Sequence, residues 1–119
     1  MGFSKGILSE SVDGRQILVG ATGSTGTTLH SAIAGTGFNN LDEIYIYAAN
    51  NDSTDTDLTI QWGGTGPAHS STLSVPALSG FVLVVPGFVL QNGGVISAYA
   101  STSDKIVVNG YVNRIEPDA

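Results

Sequence analysis

Apolar and polar positions alternate with a period of two along residues 41–49: Ile44, Ile46 and Ala48 fall on one side, Glu43, Tyr45 and Tyr47 on the other. This is the pattern of a strand with one buried face. It returns at residues 58–62, Leu-Thr-Ile-Gln-Trp, after the polar loop 50–57, so the two runs are expected to pair as a hairpin. Shorter β-type runs at 16–19, 73–75, 95–100 and 105–115 are separated by Gly, Pro and Asn. Residues 81–85, Phe-Val-Leu-Val-Val, are apolar on both faces and should lie deep in a sandwich or under a neighbouring subunit. Pro86-Gly87 and Asn92-Gly93-Gly94 read as turns. Residues 27–34 could place Leu29, Ile33 and Ala34 on a helical face, but Thr27-Thr28 and the flanking Gly35 and Gly37 favour a strand.

About eight short strands at near-even spacing predict an all-β, single-domain antiparallel β-sandwich of jelly-roll type. Ile44, Ile46, Ile60, Val82, Val84, Ile106, Val108 and Val112 should point inward between two sheets. Residues 1–15 show little periodicity and read as an N-terminal arm, or a poorly packed lead-in strand, ahead of a β domain at 16–119.

The 119 residues suffice for one core without covalent staples. Cysteine is absent, which removes disulfides and thiolate metal sites. The net charge is −6 and no Lys or Arg occurs between Gln16 and Asp104, so the field repels nucleic acid and no such partner is expected. No apolar run approaches a membrane span and the N-terminal apolar stretch is too short for a signal peptide, so neither a membrane partner nor export is expected. Only 12% of residues are charged, about half the usual share, and Ser, Thr, Gly and Asn dominate the remainder. A crowded assembly, an extracellular domain and a merely β-rich domain all fit that bias.

Candidate chemistry is sparse. The segment 17–26, Ile-Leu-Val-Gly-Ala-Thr-Gly-Ser-Thr-Gly, resembles the glycine-rich turn of nucleotide-binding reductases, but that turn must open a helix and residues 27–37 make a poor one. A plain turn is expected, with no cofactor. Asn51 to Asp57 offers three carboxylates but neither the glycine nor the closing glutamate of a calcium loop, so no metal is expected. His30 and His69 stand alone and read as surface or interface histidines. No Gly-x-Ser-x-Gly elbow positions a serine nucleophile, and no catalytic residue is assigned. Tyr45, Tyr47, Trp62 and Tyr99 could build a glycan-stacking face, although strand aromatics more often serve core or subunit contacts.

Residues 41–50 (LDEIYIYAAN), 58–65 (LTIQWGGT), 83–87 (LVVPG), 98–102 (AYAST) and 110–115 (GYVNRI) together resemble the small virion structural proteins of tailed bacteriophages, especially auxiliary capsid (cement or decoration) proteins. The resemblance spans roughly residues 27 to 116. It implies a non-enzymatic β-sandwich on the outer surface of the virion capsid, made in the host cytoplasm. It also implies that the protein binds the major capsid protein and itself, as a homotrimer. Phe3, Ile7 and Leu8 of the arm, with Tyr45, Tyr47, Trp62 and Tyr99, are the expected partner-binding residues. A virion appendage that binds host-surface glycans through the Tyr and Trp face is the alternative.

Overall fold

The computed structural model describes residues 2–117. Met1 of the expected arm and the last two residues of the expected 16–119 domain lie outside that range. The described residues form nine strands: β1 (Gly2–Ile7), β2 (Ile17–Leu18), β3 (Thr27–Ser31), β4 (Leu41–Asn50), β5 (Thr56–Trp62), β6 (Ser70–Val75), β7 (Val82–Leu90), β8 (Val95–Ala100) and β9 (Ile106–Glu116). They build two antiparallel sheets, β1-β9-β4-β7 with β2 also on β9, and β3-β8-β5-β6. The pairs β2·β9, β3·β8, β4·β7 and β5·β6 are the rungs of one long hairpin. Rolling that hairpin up adds β4·β9 and β5·β8 and yields the jelly roll. Of the 27–34 segment, Thr27–Ser31 is strand, as the threonines favour, and no part is helical.

The core lies between the sheets, where Ile44, Ile46 and Ala48 of β4 meet Leu58 and Ile60 of β5 and Ile106, Val108 and Val112 of β9. Two expected core residues, Val82 and Val84, are only partly buried although they pack against the core, and Val85 is the fully inward residue of β7. The β4–β7 register shifts twice, at Ile44/Tyr45 and at Ile46/Tyr47, and each shift re-aims the β7 side chains.

Three expectations are corrected. β4 and β5 do not pair, because both carry an apolar face that the other must cover; loop 51–55 therefore carries the chain from one sheet to the other. Pro86-Gly87 does not end its strand but lies within β7, an edge strand whose register shifts next to the Tyr45–Pro86 pair, the setting in which a sheet tolerates proline. For the same reason 81–85 is not deep in the sandwich: Phe81 and Leu83 are each nearly half exposed.

Of the two readings of the N-terminal segment, the structure has the lead-in strand rather than a free arm. β1 pairs with β9 from Gly2↔Glu116 to Ile7↔Tyr111, and Leu8 is fully buried in the core. The chain then crosses to the second sheet, where Glu10 N–H donates to Leu29 O and Ser9 Oγ accepts from Ser31 N–H.

Candidate interaction surface

Because side chains alternate along strands, burying Ile44, Ile46 and Val112 forces Tyr45, Tyr47 and Tyr111 onto the outer face of the β1-β9-β4-β7 sheet. The register sets Tyr45 opposite Tyr111, and their rings stack with centroids 4.7 Å apart. Lys5 of β1 brings its ammonium 4.4 Å from the Tyr111 ring centroid. On the other side the Tyr45 ring lies over Gly87, whose left-handed φ of 93° and lack of a side chain admit it. Glu43 accepts a hydrogen bond from Asn113 Nδ2 at 3.0 Å, and its charge, with partial burial, raises the Tyr45 phenol above its ordinary value.

Around this aromatic centre the same face exposes Phe3 and Ile7 from β1 and Leu83 and Val89 from β7, with Phe81 just ahead of β7. Phe3 is 67% exposed and Val89 55%. Ile7, Tyr47, Phe81 and Tyr111 line a shallow groove beside Asn109. The surface therefore combines an apolar sheet face with few charges, the composition of the centre of a protein interface.

Beneath one end of this face lies a buried ionic cluster. Asp42 is fully buried and accepts two hydrogen bonds from Arg114, Nε to Oδ1 at 2.8 Å and the second guanidinium nitrogen to Oδ2 at 3.0 Å. His30 Nε2 lies 2.8 Å from Oδ2, and the Ile33 N–H donates to the same oxygen at 3.2 Å. Burial by itself raises the Asp42 pKa, but the hydrogen bonds from Arg114 and His30, the guanidinium charge and the Ile33 N–H outweigh it and hold the carboxyl below its ordinary value. Ser9 N–H donates to His30 Nδ1 at 2.9 Å, so Nδ1 is the unprotonated nitrogen and Nε2–H donates to Asp42. Every polar group of the cluster thus has a structural partner. It ties β3, β4 and β9 to the segment after β1.

At the opposite edge, between β6 and β7, the two sheets gape. An apolar slot of about 290 Å³ opens there, with Trp62 and Phe88 edge to face at 6.3 Å.

The residues expected to bind partners are therefore divided. Phe3, Ile7, Tyr45 and Tyr47 share the outer face described above, Trp62 rims the slot, Leu8 is core, and Tyr99 lies on the outer face of the other sheet opposite Thr59. The four-residue Tyr and Trp face is not formed. His30, expected at the surface, is buried because Asp42 and the Ser9 amide satisfy both ring nitrogens, whereas His69 is exposed. The glycine-rich segment leads into β3 rather than a helix, and Gly26 N–H donates to the buried Gln61 side chain. In the acidic loop, Asp52 and Asp55 accept from the backbone amides of Ser53 and Ala77. No cluster of three or more metal-ligating side chains occurs among the described residues. Lys5, Tyr111, Leu83 and Val89 were not among the expected partner-binding residues; the Tyr111 alternation with Val112 was the available signal.

Compared with protein-family models, curated proteins and solved structures, the chain matches none.

Proposed function

We propose that this protein is a non-enzymatic structural component of a tailed-phage head, a cement protein that lays the outer face of its β1-β9-β4-β7 sheet on the shell of major capsid protein. The observation that carries the reading is the apolar face itself: Phe3, Ile7, Phe81, Leu83 and Val89 are all close to half exposed or more, around the Tyr45–Tyr111 stack. Exposed apolar patches of this kind mark interaction sites. A jelly roll, a weakly charged chain and the sequence resemblance to auxiliary capsid proteins agree with it. Repetition over a symmetric shell lets a modest contact per copy strengthen the whole.

The groove of Tyr47, Tyr111 and Phe81 beside Asn109 favours a second reading, in which a sugar ring stacks there and the protein is a glycan-binding appendage. One experiment separates them. Purified protein is added to heads of the encoding phage assembled without it, and bound copies and head melting are measured for wild type and for Phe3→Lys/Leu83→Lys. The cement reading expects saturating decoration and a raised head melting temperature for wild type, and at least a tenfold weaker binding for the variant. Undecorated heads together with glycan-array binding abolished by Tyr111→Ala would establish the appendage instead.

A further inference from the structure

The loop between β3 and β4 carries Phe38, whose side chain is completely exposed. A free phenyl ring is normally folded back or left on a mobile loop, yet this loop is held from several sides. Gln91 Nε2 donates to the carbonyls of Gly37 and Asn40 at 3.3 and 3.0 Å, and Asn39 N–H donates to Thr36 O at 3.0 Å. Gly37 takes a left-handed φ of 61°, and a side chain at Gly35 would collide with the Asn40 backbone. The loop is built to hold a phenyl ring out in solvent.

The slot between β6 and β7 is the complementary feature. It is walled by Ile60, Trp62, Leu73, Val84, Val85 and Phe88. An apolar cavity of about 150 Å³ already takes up benzene, so 290 Å³ has room for a phenyl ring. Charge chooses the donor of that ring. The chain carries a net −6, yet no Asp, Glu, Lys or Arg occurs from Gln16 to Leu41, which includes the Phe38 loop, or from Leu58 to Ser103, which includes the whole slot. These stretches bring no charge of their own to a contact between two copies of an acidic chain; the acids beside them are Glu43, opposite Val89 of β7, and Asp57, opposite Ser74 of β6. The edge strands β6 and β7 also lack the charged residues that normally guard a sheet edge. Pro86 and the two register shifts interrupt β7, so the contact is one of side chains rather than a continued ladder.

We propose that Phe38 of one copy inserts into the β6–β7 slot of a second copy. Knob and slot are different parts of the surface, so the contact is either reciprocal across a two-fold axis or head-to-tail, closing into a ring where the rotation permits. It deepens the reading of the protein as an assembly component, by naming how copies join one another rather than the shell.

The test uses purified protein without shells, so its outcome is independent of capsid binding. Mass is measured by light scattering across a concentration series for wild type, Phe38→Ser and Ser71→Glu; Ser71 is exposed and lines the slot. Wild type should form an oligomer well above the 12.2 kDa monomer, and each variant should remain monomeric with an unchanged melting temperature. Mixed together, the variants should form a one-to-one complex, since one retains the slot and the other the knob. A monomeric wild type, either variant with the wild-type mass, or a mixture without complex would overturn the proposal.

Discussion

At the scale of single residues, the buried charge of Asp42 sets the clearest dependence on solution conditions. Its carboxyl is held below the ordinary 3.8, so its contribution to stability is fully present above that value and is lost as pH falls through the lower folded-state value. Replacing it by alanine leaves Arg114 and His30 without their acceptor and should cost about 3–5 kcal/mol at pH 7. The gap in melting temperature between wild type and Asp42→Asn should be constant from pH 7 to 5 and shrink below pH 4; a constant gap down to pH 2.5 would remove the carboxylate from the account. Gly110 is a second sensitive position, since an added Cβ would run into the Tyr45 carbonyl across the β4–β9 ladder. Gly110→Ala should lower stability by about 1–3 kcal/mol through forced strand separation, read by chemical denaturation.

At the scale of elements, β1 and β7 differ most from their sequence signals. β1 lacks alternation because its outward residues Phe3, Lys5 and Ile7 are of mixed type and its inward positions include Ser4 and Gly6, yet the free edge of β9 supplies six consecutive partners. Leu8 then anchors it. Leu8→Ala should cost about 2–5 kcal/mol, comparable with Ile46→Ala, whereas an appended arm would tolerate the change. Equal melting temperatures for wild type and Leu8→Ala would contradict its place in the core. For β7, an apolar run on both faces resembles a central strand, but here it forms an edge and leaves Leu83, Phe88 and Val89 exposed. Residues alone do not separate these cases, because burial by another chain and burial by the same chain select the same side chains.

At the scale of the whole molecule, charge is sparse on the apolar surface, where Lys5 and Glu43 flank the Tyr45–Tyr111 stack. Acidic residues cluster in the first fifteen residues, at 42–57 and from 104 onward, while both the Phe38 loop and the slot lie in neutral stretches. Contacts through such surfaces are driven by apolar burial, which salt does not screen. If the cement proposal holds, binding to the shell should therefore hold or strengthen between low and high salt, measured by co-sedimentation with heads. A steep loss with salt would point to ion pairs or phosphate contacts and away from the apolar face.

The alternation in β4, β5 and β9, the turn residues and the absence of helix periodicity are local properties, and they determined the all-β class, the sandwich and most of the core. Tyr45 and Tyr47 were legible as one face for the same reason. Pairing was not legible, since strand alternation says which face is buried but not which strand lies alongside; rolling the long hairpin decided that β4 joins β9 and β7 rather than β5. The Asp42–Arg114 pair, 72 residues apart in sequence, and the stack of Tyr45 on Tyr111 exist only through that register. The exposed Phe38 and the slot likewise depend on where the rolled sheets leave an edge uncovered, a global property that no window of sequence contains.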